Sequence, residues 1–155
     1  MIMNSFVHFI IPRMNPCMSE CVFCKIVAGE QDAQIVYQDD WVMGFLDIHP
    51  IRIGHTLIIP KTHYETILDI PADELAHFII ITQQLAGQVK RAMNAVGLRI
   101  GNNNYAAAGQ IVPHLHFHII PVTADLPINL KFERWNLSKM ELEEIAEKIR
   151  NAFFA

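Results

Sequence analysis

The stretch PHLHFHIIP, Pro113 to Pro121, sets histidines at 114, 116 and 118 on alternate positions of an apolar run. Alternation of this kind fits a β-strand, where successive side chains point to opposite faces. His114, His116 and His118 would then share one face at a spacing of roughly 6–7 Å. Leu115, Phe117 and Ile119 would face a core. Three imidazoles in a row add little packing, and each needs partners if buried. Three readings follow: a solvated strand carrying histidines by chance, a metal site, or a histidine nucleophile flanked by helpers.

The chain has 155 residues, 52% of them hydrophobic and 18% charged. That suits one globular domain with a sizeable core. A formal net charge of −4 gives no electrostatic case for nucleic acid. No apolar run approaches the ~20 residues a membrane span needs. The opening segment has an apolar run, Phe6 to Ile11, without a charged start or a small-residue cleavage site, so it does not read as a signal peptide. Residues 1–18 are expected to be a leader, disordered or forming an added strand, and Met18 would also begin a sensible chain. Cysteines 17, 21 and 24 are odd in number and clustered, which fits a reducing cytoplasm better than a disulfide framework.

CVFCKIVAGE predicts a short helix ending near Gly29. AQIVYQDD and WVMGFLDIHP predict a hairpin, and GHTLIIP a third strand. A long helix is expected from Pro71 to Gly97, with Leu75, Phe78, Ile79, Leu85 and Val89 at helical spacing. LRIGNNN predicts a strand, followed by a small-residue loop and the histidine strand. Ser138-x-x-Glu141 is a capping box opening a last helix through about Phe153. The expected class is α+β: an antiparallel β-sheet with one long helix packed on it and a C-terminal helix.

Cys21-x-x-Cys24 alone is redox, metal-binding or accidental, and the βαβ context of a redox motif is missing. Zinc would need two further ligands, for which His63 and His114 are the candidates. Cys17 reads as an unremarkable thiol. Ala107, Ala108 and Gly109 let backbone approach a ligand, and the Gln110 amide can donate; the alternative is an ordinary tight turn. Asp47, ending an apolar strand, could accept ribose hydroxyls or simply cap a turn. His55 begins another apolar strand, while His49 and His77 read as surface or packing residues.

Taken together, these blocks resemble the histidine-triad, or HIT, family, in its Hint-like branch. The resemblance runs from about Ser19 to Val122 through CVFCKIVAGE, IVYQDD, FLDIHP, GHTLIIPKTH and AAGQIVPHLHFHIIP. It implies a HIT domain over residues 19–122, with 123–155 as a C-terminal extension. It further implies a nucleotide-binding homodimer that hydrolyses or transfers nucleoside monophosphate groups, from purine phosphoramidates or dinucleoside polyphosphates. By family pattern His116 is the nucleophile, flanked by His114 and His118, with His55 as the fourth histidine. Asp47 and Ile48 match ribose- and base-holding positions, Asn103 a position near ribose and phosphate, and Gly109 and Gln110 the phosphate loop. Zinc-bearing members imply Cys21, Cys24, His63 and His114 as a structural zinc set, with no organic cofactor.

The chain departs from the family pattern twice: Ile111 stands where a small hydroxyl residue commonly follows Gly-Gln, and Tyr105 where many relatives have glycine. Both bear on the leaving group. The expected chemistry is attack by a neutral His116 nitrogen on the α-phosphorus, departure of a leaving group protonated by a nearby imidazolium, and hydrolysis of the nucleotidyl-histidine. Gln110, loop amides and His118 are the expected donors to the phosphoryl oxygens. Two other classes compete: a non-catalytic nucleotide-binding or scaffold protein, and a metalloenzyme whose three row histidines hold one ion.

Overall fold

The computed structural model describes residues 20–124 and 134–152. The expected leader and parts of the C-terminal extension lie outside them. Helix α1 (Val22–Val27) leads to strands β1 (Ile35–Gln38), β2 (Val42–Leu46) and β3 (Thr56–Pro60). Helix α2 (Ala72–Ala92), strand β4 (Gly97–Gly101), a 3-10 turn (Ala106–Ala108), β5 (Phe117–Val122) and helix α3 (Lys139–Asn151) complete the order. The five strands form one antiparallel sheet in the order β1-β2-β3-β5-β4. This is the α+β class expected.

Register divides the sheet into two working faces. Phe45 pairs Leu57, Leu57 pairs His118, and His118 pairs Gly101. Directly opposed residues share a face, so this row crosses four strands on one side. There Phe45 and Leu57 join Met43 and Ile59 in a small core under α1, with Phe23 and the two cysteines. The other face carries Val42, Ile58 and Ile119 in the main core with Phe78, Leu85 and Val89 of α2 and Ile145 and Ile149 of α3. Gly44 permits that packing: a Cβ there would stand 2.6 Å from the Leu85 side chain. The long helix therefore braces one face and leaves the α1 face for chemistry.

Two boundaries differ from expectation. The long helix ends at Ala92, not at Gly97, which instead begins β4. Asn94 takes the left-handed turn (φ 48°). Asn94 N–H donates to Arg91 O and Ala95 N–H to Lys90 O, the paired bonds of a Schellman cap. Asparagine tolerates this conformation and did the work assigned to glycine. The ladder of the histidine strand begins only at Phe117, yet Leu115 and Ile119 are fully buried in the main core, so the in–out alternation holds beyond the pairing. The expected endings at Gly29 and the capping box both form. Gly29 is left-handed at φ 75°, and Ser138 and Glu141 exchange side-chain-to-backbone bonds.

Candidate active site and metal centre

Helix α1 brings the cysteine pair against the start of the histidine row. Cys21 Sγ lies 3.5 Å from His114 Nδ1, and Cys24 Sγ lies 3.6 Å from that nitrogen and 3.3 Å from His63 Nδ1. A tetrahedral zinc with Zn–S ~2.3 Å and Zn–N ~2.0–2.1 Å sets S···N separations of about 3.5 Å. The four donors, all within 4.8 Å of one another, fit that demand. His114 Nε2–H donates to Pro60 O at 2.8 Å. That bond leaves Nδ1 unprotonated toward the thiols, the tautomer a metal ligand needs.

The same residue organises its neighbour. His116 Nδ1–H donates to His114 O at 2.7 Å, which leaves its Nε2 with a free lone pair. The His116 carbonyl accepts from Asn102 Nδ2 at 2.9 Å. Asn102 Oδ1 accepts in turn from Asn104, whose own Oδ1 accepts from Ile67 N–H. Phe23 packs edge-on against both rings, with centroids 5.8 Å from His114 and 5.3 Å from His116.

His118 continues along the face. Its Nδ1 is 3.0 Å from His55 Nε2, and His55 Nδ1 is 3.3 Å from Asp47 Oδ2. Ile51 N–H donates to His55 Nδ1 at 3.4 Å, which places the His55 proton on Nε2, where it is donated to His118 Nδ1; Asp47 stands beside the His55 ring as a charge. Asp47 Oδ1 also accepts from His49 N–H at 2.9 Å, so the carboxylate caps its turn as well as meeting His55. The three-histidine metal site is corrected here: the His114 ring belongs to the cysteine cluster, whereas His118 groups with Asp47 and His55.

Burial pushes His55 down to about 4; Asp47 opposes the shift, and Arg134 and His116 add to it. His118 is also pushed down to about 4, first by burial and then by His116 and His55. Burial lowers His116 too. These rings are neutral near pH 7, which suits a nucleophile and leaves no resident imidazolium. Linkage fixes the sign for stability. Above ~6.5 neither state binds the proton; between ~6.5 and ~4 the unfolded chain binds it and the folded chain does not. Stability is therefore expected to fall as pH drops through that window. Denaturant titrations from pH 7 to 4 on wild type and His118→Gln check this, the variant having the shallower slope; equal slopes would remove His118 as a source.

These groups line a cleft of about 450 Å³ on the α1 face. Asp47, Ile48, Asn103, Gly109, His116, His118 and His55 all line it. Gln110 does something else. Its side chain is only 8% exposed, with Oε1 accepting from Tyr105 N–H at 2.6 Å and Nε2 donating to Glu65 O at 2.7 Å. It braces the loop with its amide and is not among the residues lining the cleft. Gly109 turns the loop at φ 87°, and Asn103 Nδ2 donates to Gly109 O at 3.4 Å. Sequence reasoning missed the apolar wall: Val22, Phe23 and Ile26 of α1 facing Phe45 and Leu57. Helical spacing of 22 and 26 and the alternation in β2 were the available signals. It also missed Asn102, and Arg99 and Arg134 in the cleft wall.

Tyr105 has φ 69° and ψ 157°, a conformation essentially confined to glycine. The Gln110 amide holds it there. Tyr105→Gly would release about 1–3 kcal/mol of strain and lose about 0.5–1 kcal/mol to the greater freedom of glycine when unfolded. Net stabilisation of about 1 kcal/mol is expected. A denaturation midpoint that fails to rise, at constant slope, would count against stored strain.

Sheet, histidine row and cysteine cluster together define a histidine-triad domain. Residues 28–125 match the HIT domain family model, and the chain belongs to the HIT family. It is 42% identical over 130 residues to an uncharacterised HIT-like protein of Methanocaldococcus jannaschii, covering 84% of this chain and 98% of that one. The adenylylsulfatase HINT3 of Arabidopsis thaliana is 39% identical over 103 residues, 66% of this chain and 52% of that one. A hypothetical histidine triad nucleotide-binding protein of Sulfolobus tokodaii superposes with TM-score 0.79 at 34% identity, covering 86% of this chain and 92% of that one. A zinc-bound histidine triad protein of Mycobacterium smegmatis gives 0.76 at 34% identity, covering 88% and 95%.

Proposed function

We propose that the chain is a nucleotide hydrolase or transferase that cleaves at the α-phosphate of a purine nucleotide through a nucleotidyl-histidine on His116. The observation that carries this reading is the His116 tautomer. Nδ1–H is committed to the His114 carbonyl, and Nε2 is left as a lone pair in the cleft wall. The apolar wall suits a base, and Asp47 and Ile48 line the same cleft, where the carboxylate would accept from ribose hydroxyls.

Nε2 attacks the α-phosphorus, the P–N bond to an amine leaving group breaks, and the amine takes up a proton as it leaves. Water then attacks the phosphorus, the P–N bond to His116 breaks, and the nucleoside monophosphate departs. Because the resting rings are neutral, the proton donor is assembled on binding. An anionic phosphate beside His118 raises that ring's proton affinity, and the nearby Asp47 charge acts in the same direction. Loop amides near Gly109 and the His118 ring meet the phosphoryl oxygens. Cys21, Cys24, His63 and His114 would hold a structural zinc, which supplies cross-linking of α1 to the row and no step of the reaction.

Release of AMP from an adenosine 5′-phosphoramidate by zinc-loaded protein tests the reading. One feature favours a second reading, a nucleotide binder without turnover. Ile111 is 80% exposed on the cleft wall and offers no hydroxyl to a leaving group. AMP binding without turnover of phosphoramidates or dinucleoside polyphosphates would decide for it.

The assembly we infer is a homodimer. Strand β4 ends the sheet, and Ile100 on it, Val96 before it, and Ile79 and Ile80 on α2 are exposed. Such an edge with apolar neighbours invites pairing with a second copy. Sedimentation at micromolar concentration should give twice the chain mass; a single-chain mass would remove the dimer. Among the described residues no helix is long and apolar enough to cross a membrane. A cytoplasmic location rests on the reduced cysteine cluster.

A further inference from the structure

We propose that Arg134 forms a second anion subsite in the cleft, so that the preferred ligand is a nucleotide bearing another anionic group besides the α-phosphate. This rests on the nucleotide reading above and narrows its substrate class. The observation behind it is how the C-terminal segment is fastened. Trp135 N–H donates to Pro50 O at 2.7 Å, and Arg134 Nη1 donates to His49 O at 2.8 Å. Both acceptors lie in the turn after β2, the turn that starts at Asp47. Two residues on, Leu137 packs against the main core, and Ser138 caps α3. Arg134 is thus placed by a strap fixed at both its ends, within the same chain as the histidines it faces.

Arg134 lines the cleft together with Asp47, His55 and His118. A guanidinium carries five N–H donors, and His49 O takes one. Among the described residues no carboxylate lies within 4 Å of it to neutralise the charge. The charge reaches into the site: it is one of the causes that lower both His55 and His118. That is an unfavourable arrangement for rings that must take up a proton, unless an anion sits between. A nucleoside monophosphate spends its phosphate at His116. A second phosphate or sulfate would meet Arg134 and relieve the repulsion. The group can come from the 5′ chain beyond the α-phosphate or from a ribose hydroxyl near Asp47. Both present the same oxyanion to a fork suited to it.

Calorimetry on the full-length, zinc-loaded chain separates the cases, with AMP, ADP and adenosine 3′,5′-bisphosphate as probes. Arg134→Gln is expected to cut the affinity advantage of one doubly anionic probe over AMP by about tenfold. Arg134→Lys should keep part of that advantage, and high salt should shrink it in wild type. A fall confined to ADP puts the second group on the 5′ chain; a fall confined to the bisphosphate puts it on the ribose. Either supports the subsite. Unchanged ratios, or equal loss for all three probes, would overturn it and leave Arg134 as a strap residue. Wild type that binds none of the three overturns the nucleotide reading as well.

Discussion

His116→Ala is expected to lower phosphoramidate turnover by at least about 10³-fold, with zinc content and AMP binding retained. The reason is local. The imidazole is the only part of His116 that the chemistry uses, and the Asn102 bond to its carbonyl survives the change. His114 keeps its own bond to Pro60 O and its place beside the cysteines. A truncation here should therefore remove the nucleophile and leave the scaffold. His118→Ala makes the comparison sharper, because that ring acts on the proton and the oxyanion. Its loss should be smaller and should depend on the basicity of the leaving group. Equal, leaving-group-independent losses in the two variants would move the nucleophile away from His116.

The second large effect is on the metal cluster. One zinc per chain is expected, lost in Cys24→Ser and kept in His118→Ala. Where free zinc exceeds its dissociation constant about 1000-fold, binding contributes about 4 kcal/mol to folding, so the apo chain should unfold at clearly lower denaturant. Activity should fall with it, since Phe23 enters the cleft from the helix that the cysteines tie down. Metal analysis with denaturation on the same samples checks this. Zinc retained by Cys24→Ser, or lost from His118→Ala, would assign the metal to the wrong ligands.

Some of this was legible in residue order because the period was unambiguous. The row from His114 to Ile119 alternates strictly, and the structure keeps its faces apart even before the ladder begins. Asp47, His55 and the cysteine pair were each ambiguous alone, and became readable only as members of one pattern. What was not legible depended on contacts across long separations. Gln110 looks like a phosphate donor until Glu65 and Tyr105 are found at its two ends. Asn94 replaced the glycine expected at the end of α2, because a residue able to turn left-handed came sooner. Arg134 carries no motif, and its place follows from hydrogen bonds to residues about eighty-five positions earlier.

The two-sided row also dictates which accidents of inheritance the chain survives. One inserted or deleted residue between His114 and Ile119 would exchange the faces, driving imidazoles into the packing under α2 and turning Leu115, Phe117 and Ile119 toward the cleft. A two-residue change restores the parity but shifts His118 off its rung opposite Leu57. Point substitutions on the cleft side can retune chemistry while the core stays intact. Changes of length cannot, so this segment tolerates replacement only at fixed spacing.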